Sequence, residues 1–319
     1  MNAGEPFIGS EALAAGTVAW HQLRTRYQAV FPDVYVARGV RLCAQQRIVA
    51  AWLWSRRRAT IAGLAASALH GAKWVGDDLT VELMHANPRG PRGIVTRRDV
   101  LVDDERLLLD GRAVTTPERT AFDIGTRGSP LGAVARLDAL ARATGVKASD
   151  VSQLAGRHRG VRGLRQLETA LDLMDAGAQS PRETWLRLVL IEAGFPRPQT
   201  QIPVPGPDGV PFAFLDMGWE EWMLAVEYDG DHHRVDRRQF ASDIHRLETI
   251  SQVGWRVVRV VAEDSRADII RRVSRLVASS VHGLLRACTD CFRCALTAGN
   301  RENPCGRCTL DAVDAHSTR

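Results

Sequence analysis

The sequence predicts an α+β protein: a mixed first domain with a helical majority, followed by a compact α/β unit of order α-β-β-β-α-β-α. Three observations carry this prediction. Apolar residues recur at three- and four-residue spacing in several stretches between residues 44 and 174. Short β-branched runs bounded by turn residues fall between those stretches. Beyond residue 177 helical and alternating patterns interleave. At 319 residues, with 45% hydrophobic and 25% charged, the chain has the length for two domains and the composition of a globular protein.

Taken in order, AQQRIVAAWLWSRR (44–57) and ATIAGLAASALHGAKW (59–74) read as amphipathic helices. LTVELM and GIVTRRDVLV read as strands, separated by the turn-rich NPRGPRG. In VTTPERTAFDIG, Thr116 is the expected N-cap, with Pro117 at the first helical position. Helices follow at 131–144, 148–155 and 163–174. Gly177 is expected to end one helix and Ser180 to start the next. After that come helix 181–193, strands QTQIPV, PFAFLDM and MLAVEYD, helix 237–253, strand RVVRVV and helix 267–281. The expected division is therefore 1–176, 177–283 and a Cys-rich tail, 284–319.

The start of the chain lacks the basic flank and apolar core of a secretory signal, and no apolar run reaches the ~18–20 residues of a membrane span. A cytoplasmic protein without a membrane partner is expected. The formal charge of +5 and pI of about 9.1 favour polyanions, though many soluble proteins are equally basic. Lys73 and Lys147 are the only lysines, so chemistry beyond residue 147 has no ammonium to use.

The densest chemistry lies in VEYDGDHHR, 226–234. Strand alternation puts Glu227 and Asp229 on one side. A short WEEW turn lets the preceding strand pair back, bringing Asp216 beside Glu227. Two neighbouring carboxylates repel unless they share a proton or a cation, and Mg²⁺ takes such oxygens together with water and phosphate. The bland alternative is a solvated hairpin end, but Asp216 interrupts FAFLDM where an apolar residue would pack. Gly230 permits a bend that would return His232 and His233 over the same edge.

Glu183, Asp216, ExDGxxH at 227–233, DxxR at 243–246 and GWxVxR at 254–259 together resemble the Vsr-like endonuclease domain of the PD-(D/E)xK superfamily. The resemblance covers about 178–280 and implies a restriction-endonuclease-like fold. Upstream, FPDVYV, AAWLWSRRRATIAGLAASALHG and VTTPERTAFDIG resemble AbiEi-type antitoxin and transcriptional-regulator proteins, whose first segment is a winged helix-turn-helix. The resemblance implies that Asp216 and Glu227 bind Mg²⁺ (or Mn²⁺) and that Glu183 supports the metal or its water. Ser180-Pro181-Arg182-Glu183 is equally a capping box. Asp229 stands where the superfamily has lysine, and His233 is the implied general acid/base. Arg246 would hold a phosphate with its planar fork, against the alternative of a surface pair with Asp243.

Arg56, Arg57 and Arg58 are candidate nucleic-acid contacts between two helices, or a solvated helix end. No recognition-helix pattern stands out, and the segment before Ala14 looks short for a complete winged module. His70 reads as a core or helix-end histidine and Cys43 as a buried thiol. Cys291, Cys294, Cys305 and Cys308 have the spacing of a Zn²⁺ site, or belong to a disordered appendage. The expected function is a metal-dependent endonuclease hydrolysing DNA phosphodiester bonds. The alternative is a DNA-binding antitoxin-like regulator with a toxin partner, in which the missing lysine leaves the nuclease fold weak or inactive.

Overall fold

The computed structural model describes residues 4–230 and 237–279, with the backbone alone described for 237–244. His232, His233 and the Cys-rich tail lie outside the described residues. The chain is a mixed α+β protein that divides into two units, Met1–Leu188 and Val189–Arg319.

The first unit opens with β1 (Phe7–Ile8), α1 (Gly9–Ala14), α2 (Trp20–Arg26), β2 (Tyr27–Phe31) and β3 (Val34–Ala37), the strands pairing antiparallel in the order β1-β3-β2. Gly16, at φ +66°, turns the chain between the two short helices. Ala12, Val18 and Leu23 pack together under Phe7, Tyr27 and Tyr35, so helices, turn and hairpin share one small core. Asp33 holds the hairpin tip against α1: its carboxylate accepts the Ser10 backbone N–H (2.9 Å) and hydroxyl (2.6 Å), and its carbonyl accepts the Gly9 N–H (2.9 Å).

Next comes α3 (Ala44–Trp54), whose N-cap is Cys43. The expectation of a buried thiol is corrected: Cys43 is exposed, because its cap position faces outward and its N–H donates to the Gln46 carboxamide (3.0 Å). The expectation of one helix over 59–74 is also corrected. Residues Thr60–Ala62 form strand β4, and only Gly63–Leu69 form helix α4. Ile61 pairs with Leu83 of β5 (Val81–Met84) and Val114 of β8 (Arg112–Thr115), and all three are fully buried. Sheet burial outweighs a three-residue helical preference here. Together with β6 (Ile94–Arg97) and β7 (Arg106–Leu109) these strands make a five-stranded sheet, β6-β5-β4-β8-β7.

The helices α5 (Pro117–Gly125), α6 (Pro130–Thr144), α7 (Ala148–Arg157), α8 (Leu164–Asp172) and α9 (Pro181–Glu192) follow. Thr116 caps α5 as predicted, accepting the Arg119 N–H (3.3 Å). His70 ends α4, its Nε2 2.8 Å from the Thr115 carbonyl. Helix α8 stops at Asp172, so Gly177 lies in the following loop and not at a helix end.

Two buried ionic groups tie the helical layer. Arg119, 1% exposed, reaches Glu105 (2.5 Å) and Asp123 (3.1 Å), and His158 Nε2 lies 2.6 Å from Glu105. Asp138 accepts from Arg187 (2.8 Å), the Thr184 hydroxyl (2.8 Å) and the Asp175 N–H (2.7 Å).

The division between the units falls within α9. The second unit then contains β9 (Gln199–Pro205), β10 (Pro211–Trp219), β11 (Leu224–Tyr228), α10 (Arg237–Gln252) and β12 (Arg256–Val260), with 266–279 helical. The sheet order is β12-β11-β10-β9. Strands β9, β10 and β11 are antiparallel, while β11 and β12 are parallel, joined through α10 as a parallel pair requires. Ile202, Leu215, Ala225, Ile250 and Trp255 form its core.

Candidate functional site

The WEEW segment does make the predicted hairpin. Met217 pairs with Val226, so one residue further out Asp216 and Glu227 stand on adjacent strands. Both line one pocket of about 140 Å3, with Tyr228, Asp229, Arg246, Leu247 and Arg259. Each acid already has a partner. Asp216 Oδ2 accepts the Tyr228 N–H (2.9 Å). Glu227, 7% exposed, takes Arg246 at 2.8 Å and 3.4 Å, and the same guanidinium donates to the Phe214 carbonyl (2.8 Å). Asp229, just past β11, pairs with Arg259 (2.5 Å) on the neighbouring strand.

This bears on a bound metal. Carboxylate oxygens are the right donors for Mg²⁺. Here, however, both Glu227 oxygens face a guanidinium, and a cation entering the pocket would compete with Arg246 for them. Among the described residues no group of three or more His, Cys, Asp or Glu is arranged to hold a metal ion. A divalent cation bound here would therefore have to displace Arg246 from Glu227.

Glu183 belongs to the first unit, where its carboxylate accepts the Gln179 N–H (2.8 Å) while the Ser180 hydroxyl accepts the Glu183 N–H (3.2 Å). Ser180 thus caps the helix as foreseen, while the Glu183 carboxylate takes the N–H of Gln179, one residue before the cap. Arg246, the expected phosphate ligand, donates to Glu227 and to the Phe214 carbonyl. The candidate histidine His233 and the four tail cysteines are outside the described residues.

Two of the arginines at 56–58 have carboxylate partners. Arg56 and Arg57 have positive φ (57° and 63°), which turns their side chains back toward α1 and the hairpin. Arg56 pairs with Asp33 (2.7 Å), and Arg57 makes a two-pronged pair with Glu11 (2.7 Å each). Burial pushes the Asp33 carboxyl up, but the Ser10 and Arg56 hydrogen bonds outweigh it and the net shift is downward. The Arg57 hydrogen bond likewise holds Glu11 below its ordinary value. These two arginines therefore fasten the amino-terminal module to the rest of the unit; Arg58 is exposed.

That module carries a candidate surface: the antitoxin-type resemblance implied a winged helix-turn-helix in the first segment, but no recognition helix stood out in the sequence. Helix α1, a five-residue turn, helix α2 and the β2–β3 hairpin follow the order of a helix-turn-helix with a hairpin behind it. Leu23 is the buried residue of α2, while Trp20 (62% exposed), His21, Arg24, Thr25 and Arg26 face outward. Six- and seven-residue helices are too short to show an apolar period; Gly16 before the basic WHQLRTR was the available signal.

Residues 56–176 match the family of the AbiEi antitoxin C-terminal domain. Two proteins from Mycobacterium tuberculosis strains, the uncharacterized proteins MT2308 and Rv2248, are each 29% identical to this chain over 168 residues, 53% of the chain and 62% of their own length. The chain thus spans under two thirds of the curated relatives it matches. No solved structure matches. The family match ends before 178–280, and no comparison supports the resemblance to a Vsr-like endonuclease domain expected there. No helix among the described residues is long and apolar enough to cross a membrane.

Proposed function

We propose that this protein is a DNA-binding regulator of antitoxin type, with α2 as the element that enters the DNA groove and a toxin as its partner. The observation that carries the reading is the antitoxin-domain match over 56–176, preceded in the chain by two short helices and a hairpin in helix-turn-helix order. The second helix of such a module lies in the major groove, and its exposed arginines suit guanine edges or phosphates. On α2 those residues are Arg24 and Arg26, with His21 and Thr25 beside them.

Fluorescence anisotropy on DNA from upstream of its own gene tests this. The full chain is expected to bind that duplex more tightly than an unrelated one of equal length. Arg24→Glu with Arg26→Glu should weaken binding by about tenfold or more per residue. Equal affinity for both duplexes would reject the reading. The toxin partnership is checked separately, by whether co-expression restores growth to cells producing the partner.

A second reading, hydrolysis of DNA phosphodiester bonds with Mg²⁺ or Mn²⁺, is supported by one observation: Asp216 and Glu227 line the same pocket. It requires Glu227 to leave Arg246. Plasmid nicking that depends on added metal and disappears in Asp216→Ala would favour it; intact supercoiled plasmid under every metal would remove it.

A further inference from the structure

The first unit has a cleft of its own, larger than the acidic pocket of the second, about 810 Å3, lined by six arginines and a single carboxylate, Asp99. Its volume falls within the range of small-molecule sites. The charges along its wall differ in kind. Arg119 is spent on buried Glu105 and Asp123, and Arg127 pairs with Glu82, Asp123 and Asp99. Arg157, nearer the surface, reaches Asp104 (2.7 Å) and Glu105 (3.3 Å). Arg159 and Arg162 are exposed, and among the described residues neither pairs with a carboxylate.

These two arginines flank Gly160 in the loop RHRGVRG, whose backbone turns on two glycines. Gly160 and Gly163 sit at φ +85° and +94°, and a Cβ on Gly163 would lie 2.2 Å from the Thr126 carbonyl oxygen. Gly163 is also the N-cap of α8, which has no side-chain cap. The loop thus presents two exposed guanidiniums, neither paired with a carboxylate among the described residues, beside a helix N-terminus. Guanidinium forks bind phosphate oxygens in pairs.

The opposite character of the same cleft narrows the ligand. Val100 (74% exposed), Val102 (41%) and Val161 (41%) also line it. A phosphodiester backbone would leave those valines facing charge. A flat heterocycle would cover them and bury apolar surface.

We infer that this cleft binds a nucleoside polyphosphate, with the phosphate chain on Arg159 and Arg162 and the base over the valines. The inference is independent of the DNA contact assigned to α2.

Isothermal titration of the full chain with ATP, GTP and inorganic pyrophosphate tests it. One nucleoside triphosphate is expected to bind saturably at one site per chain, with pyrophosphate about tenfold weaker for want of the base. Arg159→Glu with Arg162→Glu should weaken both by about tenfold or more, since each loses charge-assisted bonds. Val100→Ser with Val161→Ser should weaken the nucleotide and leave pyrophosphate unchanged. All four side chains are exposed, and circular dichroism confirms that the variants fold. Absence of saturable binding by either nucleotide overturns the inference. So does pyrophosphate binding as tightly as the nucleotides, or a short DNA strand displacing them through the same two arginines, which would mark a nucleic-acid backbone site.

Discussion

Arg119 is held by Glu105, Asp123 and the Val100 carbonyl, with its guanidinium carbon 5.6 Å from the centre of the Phe122 ring. Removing one member of such a buried group leaves the others charged and dry. Arg119→Ala is therefore expected to cost about 3–5 kcal/mol in urea denaturation. Exposed pairs such as Arg57–Glu11 should each be worth about 1 kcal/mol or less. Asp123 makes the same environment visible through pH. Burial pushes its carboxyl from 3.8 up to about 6, with Arg127 and Arg119 pulling the other way, and its Oδ2 has no hydrogen-bond partner. Because the folded value lies above the unfolded one, the stabilisation is full below about pH 4 and is lost as pH rises through about 6. About two units correspond to about 3 kcal/mol. Glu105, shifted downward, contributes in the opposite sense: its stabilisation is lost as pH falls. Comparing wild type with Asp123→Asn isolates the first effect. Parallel stability curves from pH 4 to 7 would refute it.

The elements divide by how local their causes are. Thr116-Pro117 announces α5 because cap and first turn depend on adjacent residues. The order of the second unit is legible for the same reason, each run being long enough for its own period. Strand β4 was not legible: Thr60-Ile61-Ala62 is short and apolar, and only its partners Leu83 and Val114, far off in sequence, decide its state. The β7–β8 hairpin was legible and passed over. Asp110-Gly111, both at positive φ (47° and 75°), is the turn such hairpins favour. The glycine turns give a paired prediction. Gly163→Ala meets the Thr126 carbonyl as well as an unfavourable φ, whereas Gly160→Ala meets open space. The second should cost about 1 kcal/mol and the first clearly more, read as two thermal midpoints. Equal losses would mean the close approach to Thr126 carries no weight.

For the molecule as a whole, motif spacing located the acidic pocket, because Asp216 and Glu227 lie one hairpin apart. It could not show their guanidinium partners. Arg246 comes from α10 and Arg259 from β12, and pairing across a sheet leaves no trace in spacing. The partners of Arg56 and Arg57 were hidden for a related reason: at positive φ the two side chains reach Asp33 and Glu11, far off in sequence. Asp138 carries a further consequence. Its buried carboxylate is neutralised by Arg187 and bonded to Thr184, yet the antitoxin-domain match ends at residue 176. A fragment cut there would keep the anion and discard its cation. Expressed pieces 1–176 and 1–192 should accordingly differ in stability by about 3–5 kcal/mol, and any workable truncation has to carry α9 along with the segment it closes.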